Sequence, residues 1–190
     1  MQRFVDALLG RTRPVKSQLE KLFAMSTAYV TLTIDLQLKA TGRGGICFRP
    51  IASSRFDRIG GDLDDLLKVS GKESGSKIQT TTDPFNYQWV VIEDDDFEDL
   101  VATVHVVNLT LQDGGYGEQL LASVFRFVDG KGQTIYFIYN FKRGLFYPFI
   151  PVGERRRDNA YELRLAAVMG RELPMEKDYE RWFPLWGIPV

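Results

Sequence analysis

Cysteine is almost missing from this chain of 190 residues: Cys47 stands alone, which excludes an internal disulfide and fits a reducing compartment. Excess charge of either sign is missing as well. The 24 Lys and Arg residues nearly cancel the 25 Asp and Glu residues, for a formal net charge of −1. No global basic field therefore draws the protein to nucleic acid or anionic lipid. No apolar run approaches the roughly 20 residues of a membrane span. The N-terminus lacks the long apolar core and small-residue cleavage site of a signal peptide. The expected compartment is the cytoplasm, and the expected organisation is one α+β domain over residues 1–190. Compositions of 44% hydrophobic and 26% charged residues are those of a soluble globular protein.

The richest stretch runs from Gly114 to Asn159. Leu120 to Val128 and Gln133 to Phe141 are dense in Val, Ile, Phe and Tyr and are separated by Asp129-Gly130-Lys131-Gly132, the signature of a β-hairpin. Lys142-Arg143-Gly144 supplies a second turn, and Leu145 to Ile150 returns as a third strand. An antiparallel meander is thus expected at the centre, with the other elements packed on one of its faces.

Upstream, Phe4, Val5, Leu8 and Leu9 mark one stripe of a short amphipathic helix within residues 1–13, flanked by Arg3, Arg11 and Arg13. It is read as a terminal helix packed on the domain, with membrane-surface docking as the alternative. Pro14 opens a second helix, whose apolar face of Val15, Leu19, Leu22 and Phe23 runs through about Ala24. From Thr27 to Leu38 the period drops to two, predicting a half-buried strand. Gly42, Gly44 and Gly45 read as a turn before a second strand at Ile46 to Arg49. Phe56 to Val69 has helix-like spacing, and Ser70 to Lys77 reads as a mobile loop without phosphate-loop spacing. Ile78 to Thr82 and Tyr87 to Ile92 read as strands joined by a turn at Asp83 to Asn86. The acidic run Glu93 to Asp96 is read as the N-terminus of a long helix, with Phe97, Leu100, Val101, Val104, Val107 and Leu111 on its apolar face, that stops at Gly114-Gly115, rather than as a metal site.

Nothing in the chain spells out catalysis. His105 is the sole histidine, and a pair with Cys47, distant in the chain, is one nucleophilic arrangement open to it; a half-buried helix histidine is the simpler reading. Binding features are better represented. Phe146, Tyr147 and Phe149 on the third meander strand are candidate aromatic anchors on an exposed sheet face or edge. Arg155, Arg156 and Arg157 lie in the turn before a helix that Asp158 or Asn159 caps. They either clamp carboxylates or phosphates of a partner or form local ion pairs with Glu154, Asp158 and Glu162. The tail over residues 171–190 carries Trp182 and Trp186 between prolines, and it either packs across the domain or waits for a partner.

Three strings resemble one family: FVDALLGRTRPVKSQLEKLFAM at the start, HVVNLTLQDGGYGEQLLASVFRF in the middle, and YNFKRGLFYPFIPVGERRRDNAYEL with the ending RWFPLWG. The most specific part is the pattern KRGxFYPFxPxGxxRRDNAxEL from Lys142 to Leu163, joined by RWFPxWG from Arg181 to Gly187. These strings are similar to the PspA-associated family PspAB, nearly end to end. The resemblance implies an accessory of the phage-shock envelope-stress response, associated with the membrane-remodelling protein PspA and with an HtpX-like membrane metalloprotease. It carries over no catalytic residue and no cofactor, and the chain has no H-E-x-x-H, so it is not that protease.

The element order also resembles the secretion-chaperone or YbjN-like layout, an antiparallel sheet of about five to seven strands with helices on one face. Such folds commonly dimerise and bind protein segments, an analogy of fold rather than of site. The resulting expectation is a non-enzymatic adaptor that contacts PspA, or the protease, through the aromatic and arginine positions named above. A peripheral protein at the inner face of the cytoplasmic membrane and a small-ligand protein or unrecognised enzyme are the alternatives.

Overall fold

Leu22, Met25, Ala28 and Leu32 recur at intervals of three and four residues, and all four are fully buried. That spacing is helical. In the computed structural model, which describes residues 20–52, 54, 57–62, 65 and 75–190, a 3₁₀ turn at Glu20–Phe23 runs into helix α1, Ala24–Ile34. The strand predicted from Thr27 is therefore corrected. Period two would bury Val30 and Ile34 alongside Leu32, yet Val30 is 59% and Ile34 69% exposed. Thr33 turns its hydroxyl back onto the Tyr29 carbonyl at 2.8 Å. Packing of one helical stripe outweighs the weak β-preference of Thr, Val and Ile. The predicted helix over residues 2–9, the start of the second helix, and residues 70–74 of the predicted loop lie outside the described residues. Of the helix expected at 56–69, residues 57–62 are described as helical and bury Ile59.

Six strands form one antiparallel sheet: β1 (Lys39–Phe48), β2 (Lys77–Thr82), β3 (Gln88–Glu93), β4 (Leu120–Val128), β5 (Thr134–Asn140) and β6 (Leu145–Phe149). Their spatial order is β2-β3-β1-β4-β5-β6. The expected meander β4-β5-β6 forms one half, in the register that pairs Phe125 with Phe137 and Ile138 with Tyr147. Helix α2 (Phe97–Leu111) follows β3, and Asp96 caps it by accepting the amides of Glu98 and Asp99, as its acidic first turn predicts. Helix α3 (Asn159–Met169) follows β6, with Asp158 as its cap. Among the described residues no helix is long and apolar enough to cross a membrane.

The glycines read as a turn lie inside β1, near the middle of the sheet. Their absent side chains let other layers approach. A Cβ on Gly44 would sit 3.4 Å from Leu100 and Val104 of α2, and one on Gly45 would sit 3.2 Å from Val190 and 3.4 Å from Trp89. Successive residues of a strand face opposite sides, so this pair admits the helix layer on one face and the C-terminal segment on the other. Gly42 has φ +68°, and its carbonyl accepts the Asp94 amide at 2.9 Å. It falls where the register between β1 and β4 shifts, between Ala40 and Gly44.

Both faces of the sheet are apolar. One carries Ile46, Phe48, Val90, Ile92, Phe125, Phe127 and Phe137 against α1 and α2, with Leu165 and Met169 of α3 joining the same cluster. The other carries Cys47, Trp89, Val91, Val124, Tyr136, Ile138, Tyr147 and Phe149 beneath Trp182, Leu185, Trp186, Ile188 and Val190.

At Gly42 an added Cβ would lie 2.7 Å from the Asp94 carbonyl oxygen. Gly42→Ala is expected to lower stability by about 2 kcal/mol through strain at positive φ, and the melting temperature by roughly 4–8 °C. Gly61→Ala, where nothing lies within 4 Å, is the control and should leave the melt unchanged or raise it slightly. Equal melts for the two variants would contradict the crowding.

Candidate functional site

Strand β6 and the tail form one structure. Phe146 N–H donates to the Pro174 carbonyl and the Glu176 amide donates back to Phe146, both at 2.8 Å. The outer edge of β6 is thereby occupied, which also protects a strand edge from pairing with other chains. Pro148 sits in this strand without a donor to lose. The sequence expectation of an exposed aromatic face is corrected here: Phe146, Tyr147 and Phe149 are all buried. Phe146 turns toward the helix side, its ring 4.8 Å from that of Tyr139. Tyr147 stacks on Trp182 at 6.3 Å, and Phe149 meets Trp186 edge-on at 5.1 Å. Trp182 is buried and Trp186 half-buried, so of the two states considered for the tail, the packed one is found.

Hydrogen bonds fix this layer along its length. Tyr147 O–H donates to the Phe183 carbonyl at 3.0 Å, and Trp182 Nε1–H donates to the Glu176 carbonyl at 3.0 Å. Arg143 grips the Glu176 carboxylate through Nε at 2.7 Å and Nη2 at 3.3 Å. That grip holds Glu176 below the ordinary carboxylate range. Arg126 Nη1 and Tyr136 O–H reach the Val190 backbone oxygen at 3.3 and 3.5 Å.

The three arginines separate by direction. Residues 151–157 form a tight reversal closed by the Val152 amide on the Arg156 carbonyl at 2.9 Å and by a Pro151–Arg157 bridge. Gly153 and Arg155 both sit at positive φ, +84° and +50°. Arg155 and Arg156 are exposed, and neither is in an ion pair among the described residues. Arg157 turns inward. Its Nε donates to both Glu162 oxygens at 2.8–2.9 Å, its Nη1 to the Trp182 carbonyl at 2.6 Å, and its guanidinium lies 5.2 Å from the Phe149 ring centre. Glu162, itself buried, also accepts the Ile150 amide at 2.8 Å. One ion pair thus ties β6, α3 and the tail together. Burial holds Glu162 above the ordinary carboxylate range even though Arg157 and the Ile150 amide pull it down.

Cys47 and His105 are not brought together. Cys47 lies in the cluster under the tail, and burial pushes its thiol up to about 12, which makes it unreactive. His105 is on α2, across the sheet, its ring 4.3 Å from Phe23. Among the described residues no group of three His, Cys, Asp or Glu side chains is placed to hold a metal.

Two concavities remain. A groove of about 680 Å³ lies between the β4–β5 turn and α3, lined by Leu36, Asp129, Lys131, Tyr161, Arg164 and Val168 among others. A cleft of about 280 Å³ lies beside the arginine turn, lined by Arg157, Asn159, Glu162, Leu163, Tyr179 and Trp182. Tyr179 is 62% and nearby Phe183 55% exposed. Sequence reasoning named neither, nor Leu163. The signal available was slight: Leu163 is an apolar residue on the wrong side of the α3 stripe, and Tyr179 and Phe183 flank the tail tryptophan that packs.

The fold and the site define an α+β protein whose most specific strings, Lys142 to Leu163 and Arg181 to Gly187, build one structure of strand, turn, helix and tail. The family model of PspAB, PspA associated protein B, matches residues 2–190, and the chain belongs to that family. No curated protein and no solved structure matches it.

Removing Arg157 strands a buried carboxylate, which typically costs about 3–5 kcal/mol. Arg157→Met should therefore melt far below Arg155→Ala. A raised folded-state value means that the charge on Glu162 costs stability as pH rises from about 4.3 through that value. With Arg157 gone the window extends upward, so Arg157→Met should regain stability as pH falls toward 5. Adding Glu162→Gln should flatten that dependence. Equal melts for Arg157→Met and Arg155→Ala would contradict the pair's role.

Proposed function

We propose that this protein is a non-catalytic accessory that associates directly with PspA through protein–protein contact. The observation that carries the reading is the family match over residues 2–190. The contact surface we assign is the outward part of the arginine turn with the tail beside it: Arg155, Arg156, Tyr179 and Phe183. Exposed arginines and exposed aromatic rings are the residue types that dominate interface energies. Tyr147, Phe149, Arg157, Trp182 and Trp186 serve this surface by holding it in shape, since they form the layer beneath it, while Phe146, whose ring faces the helix side, holds the tail through its backbone.

Binding of purified PspA to the immobilised chain tests the reading. Arg155→Ala with Arg156→Ala should weaken binding about tenfold or more, equivalent to roughly 1.4 kcal/mol, at an unchanged melting temperature. Wild-type-like binding by that variant would remove the arginine turn from the contact.

A further inference from the structure

The surface assigned above also carries information about what it receives. Its cleft, about 280 Å³, lies at the lower end of the roughly 300–1,000 Å³ of small-molecule sites and has room for one large side chain. Two of its walls are the exposed Leu163 and Tyr179, and its floor is Trp182 with the Arg157–Glu162 pair. That pair is internally neutralised, each oxygen of Glu162 taking a bond from Arg157, so the floor offers an incoming charge no net partner. An apolar side chain is what such a cleft accepts.

The turn that delivers Arg157 to the cleft has a different chemistry. Arg155 and Arg156 are exposed without an ion pair among the described residues, whereas the exposed Arg181 is already held by Asp178 at 2.7 Å. Glu154 in the arginine turn and Glu180 in the 3₁₀ turn Tyr179–Arg181 are exposed acids, and Lys177 is a further exposed cation. Arg155 keeps its place at φ +50°, a conformation that Gly or Asn adopts at lower cost.

We infer that the partner segment is an acidic stretch bearing one large apolar residue. The anchor enters the cleft between Leu163 and Tyr179, and carboxylates beside it pair with Arg155 and Arg156, whose planar forks suit bidentate contact. The inference rests on the proposed association with PspA and specifies its chemistry.

Overlapping peptides spanning PspA, probed with the purified chain, test it together with titrations of intact PspA. The peptides captured should be acidic and contain a Leu, Phe or Trp. Arg155→Glu with Arg156→Glu should weaken PspA binding at least thirtyfold and lose those peptides. Leu163→Ser with Tyr179→Ala should weaken binding at least tenfold at an unchanged melt. Affinity should fall as salt rises from 50 to 300 mM, because exposed charge pairs are screened. Lys131→Glu with Arg164→Glu, in the larger groove, should bind as wild type. If PspA binds the wild-type chain but the captured peptides are basic or uncharged, or the cleft variant binds normally, the inference is overturned and the association stands. If PspA does not bind the wild-type chain at all, the association fails and takes the inference with it.

Discussion

A single buried guanidinium–carboxylate pair governs the half of the molecule that carries the proposed contact surface. Arg157 and Glu162 are five residues apart in sequence, yet between them they reach the Ile150 amide, the Trp182 carbonyl and the Phe149 ring. Two charges taken out of water are tolerable only when both are paired and further hydrogen bonds satisfy what remains. Here that condition is met by groups from β6, α3 and the tail, so the pair forms only when all three are in place. A well-packed apolar pair of similar volume could be as stable. What the ionic pair adds is direction: it fixes where the turn before α3 goes, and so which arginines are left outside.

The second constraint is steric. A sheet with two apolar faces needs two covers, and this chain has regular secondary structure for only one of them. α1 and α2 close the first face with helical stripes. The second is closed by residues 171–190, which apart from a 3₁₀ turn at Tyr179–Arg181 run without helix or strand. An irregular segment can act as a packing layer because its polar backbone is satisfied by the sheet edge and by side chains, as at Phe146, Tyr147 and Arg157. Gly44 and Gly45 allow both covers to come close over the same stretch of β1.

Much of this was legible in the sequence where local and tertiary signals agree. The meander, the caps at Asp96 and Asp158 and the turn at Asp83 were readable because pattern, cap and turn chemistry coincide there. The errors fall where they conflict. Residues 27–34 carry β-preferring side chains in alternation, and only the burial of Leu22, Met25, Ala28 and Leu32 against the sheet reveals the helix. Three glycines in four positions resemble a turn until the close approach of α2 and Val190 is known. The candidate site was half legible. An aromatic strand and a run of three arginines stand out in the sequence. Which arginine points inward depends on Glu162 sitting one turn into α3, and whether the aromatics are exposed depends on where the last twenty residues lie. No periodicity encodes either.

The tail is a closed layer of the fold, and the proposed partner contact falls on its outer surface rather than on the aromatics beneath. Backbone amide hydrogen exchange tests this most directly, at the Phe146 and Glu176 amides that bond across the β6–tail junction. Protection there approaching that of the β4–β5 amides is the predicted result, since both would open only with the whole fold. Rapid exchange at Phe146 and Glu176 while β4 and β5 remain protected would contradict it, because the tail would then detach on its own and leave Tyr147 and Phe149 open to a partner.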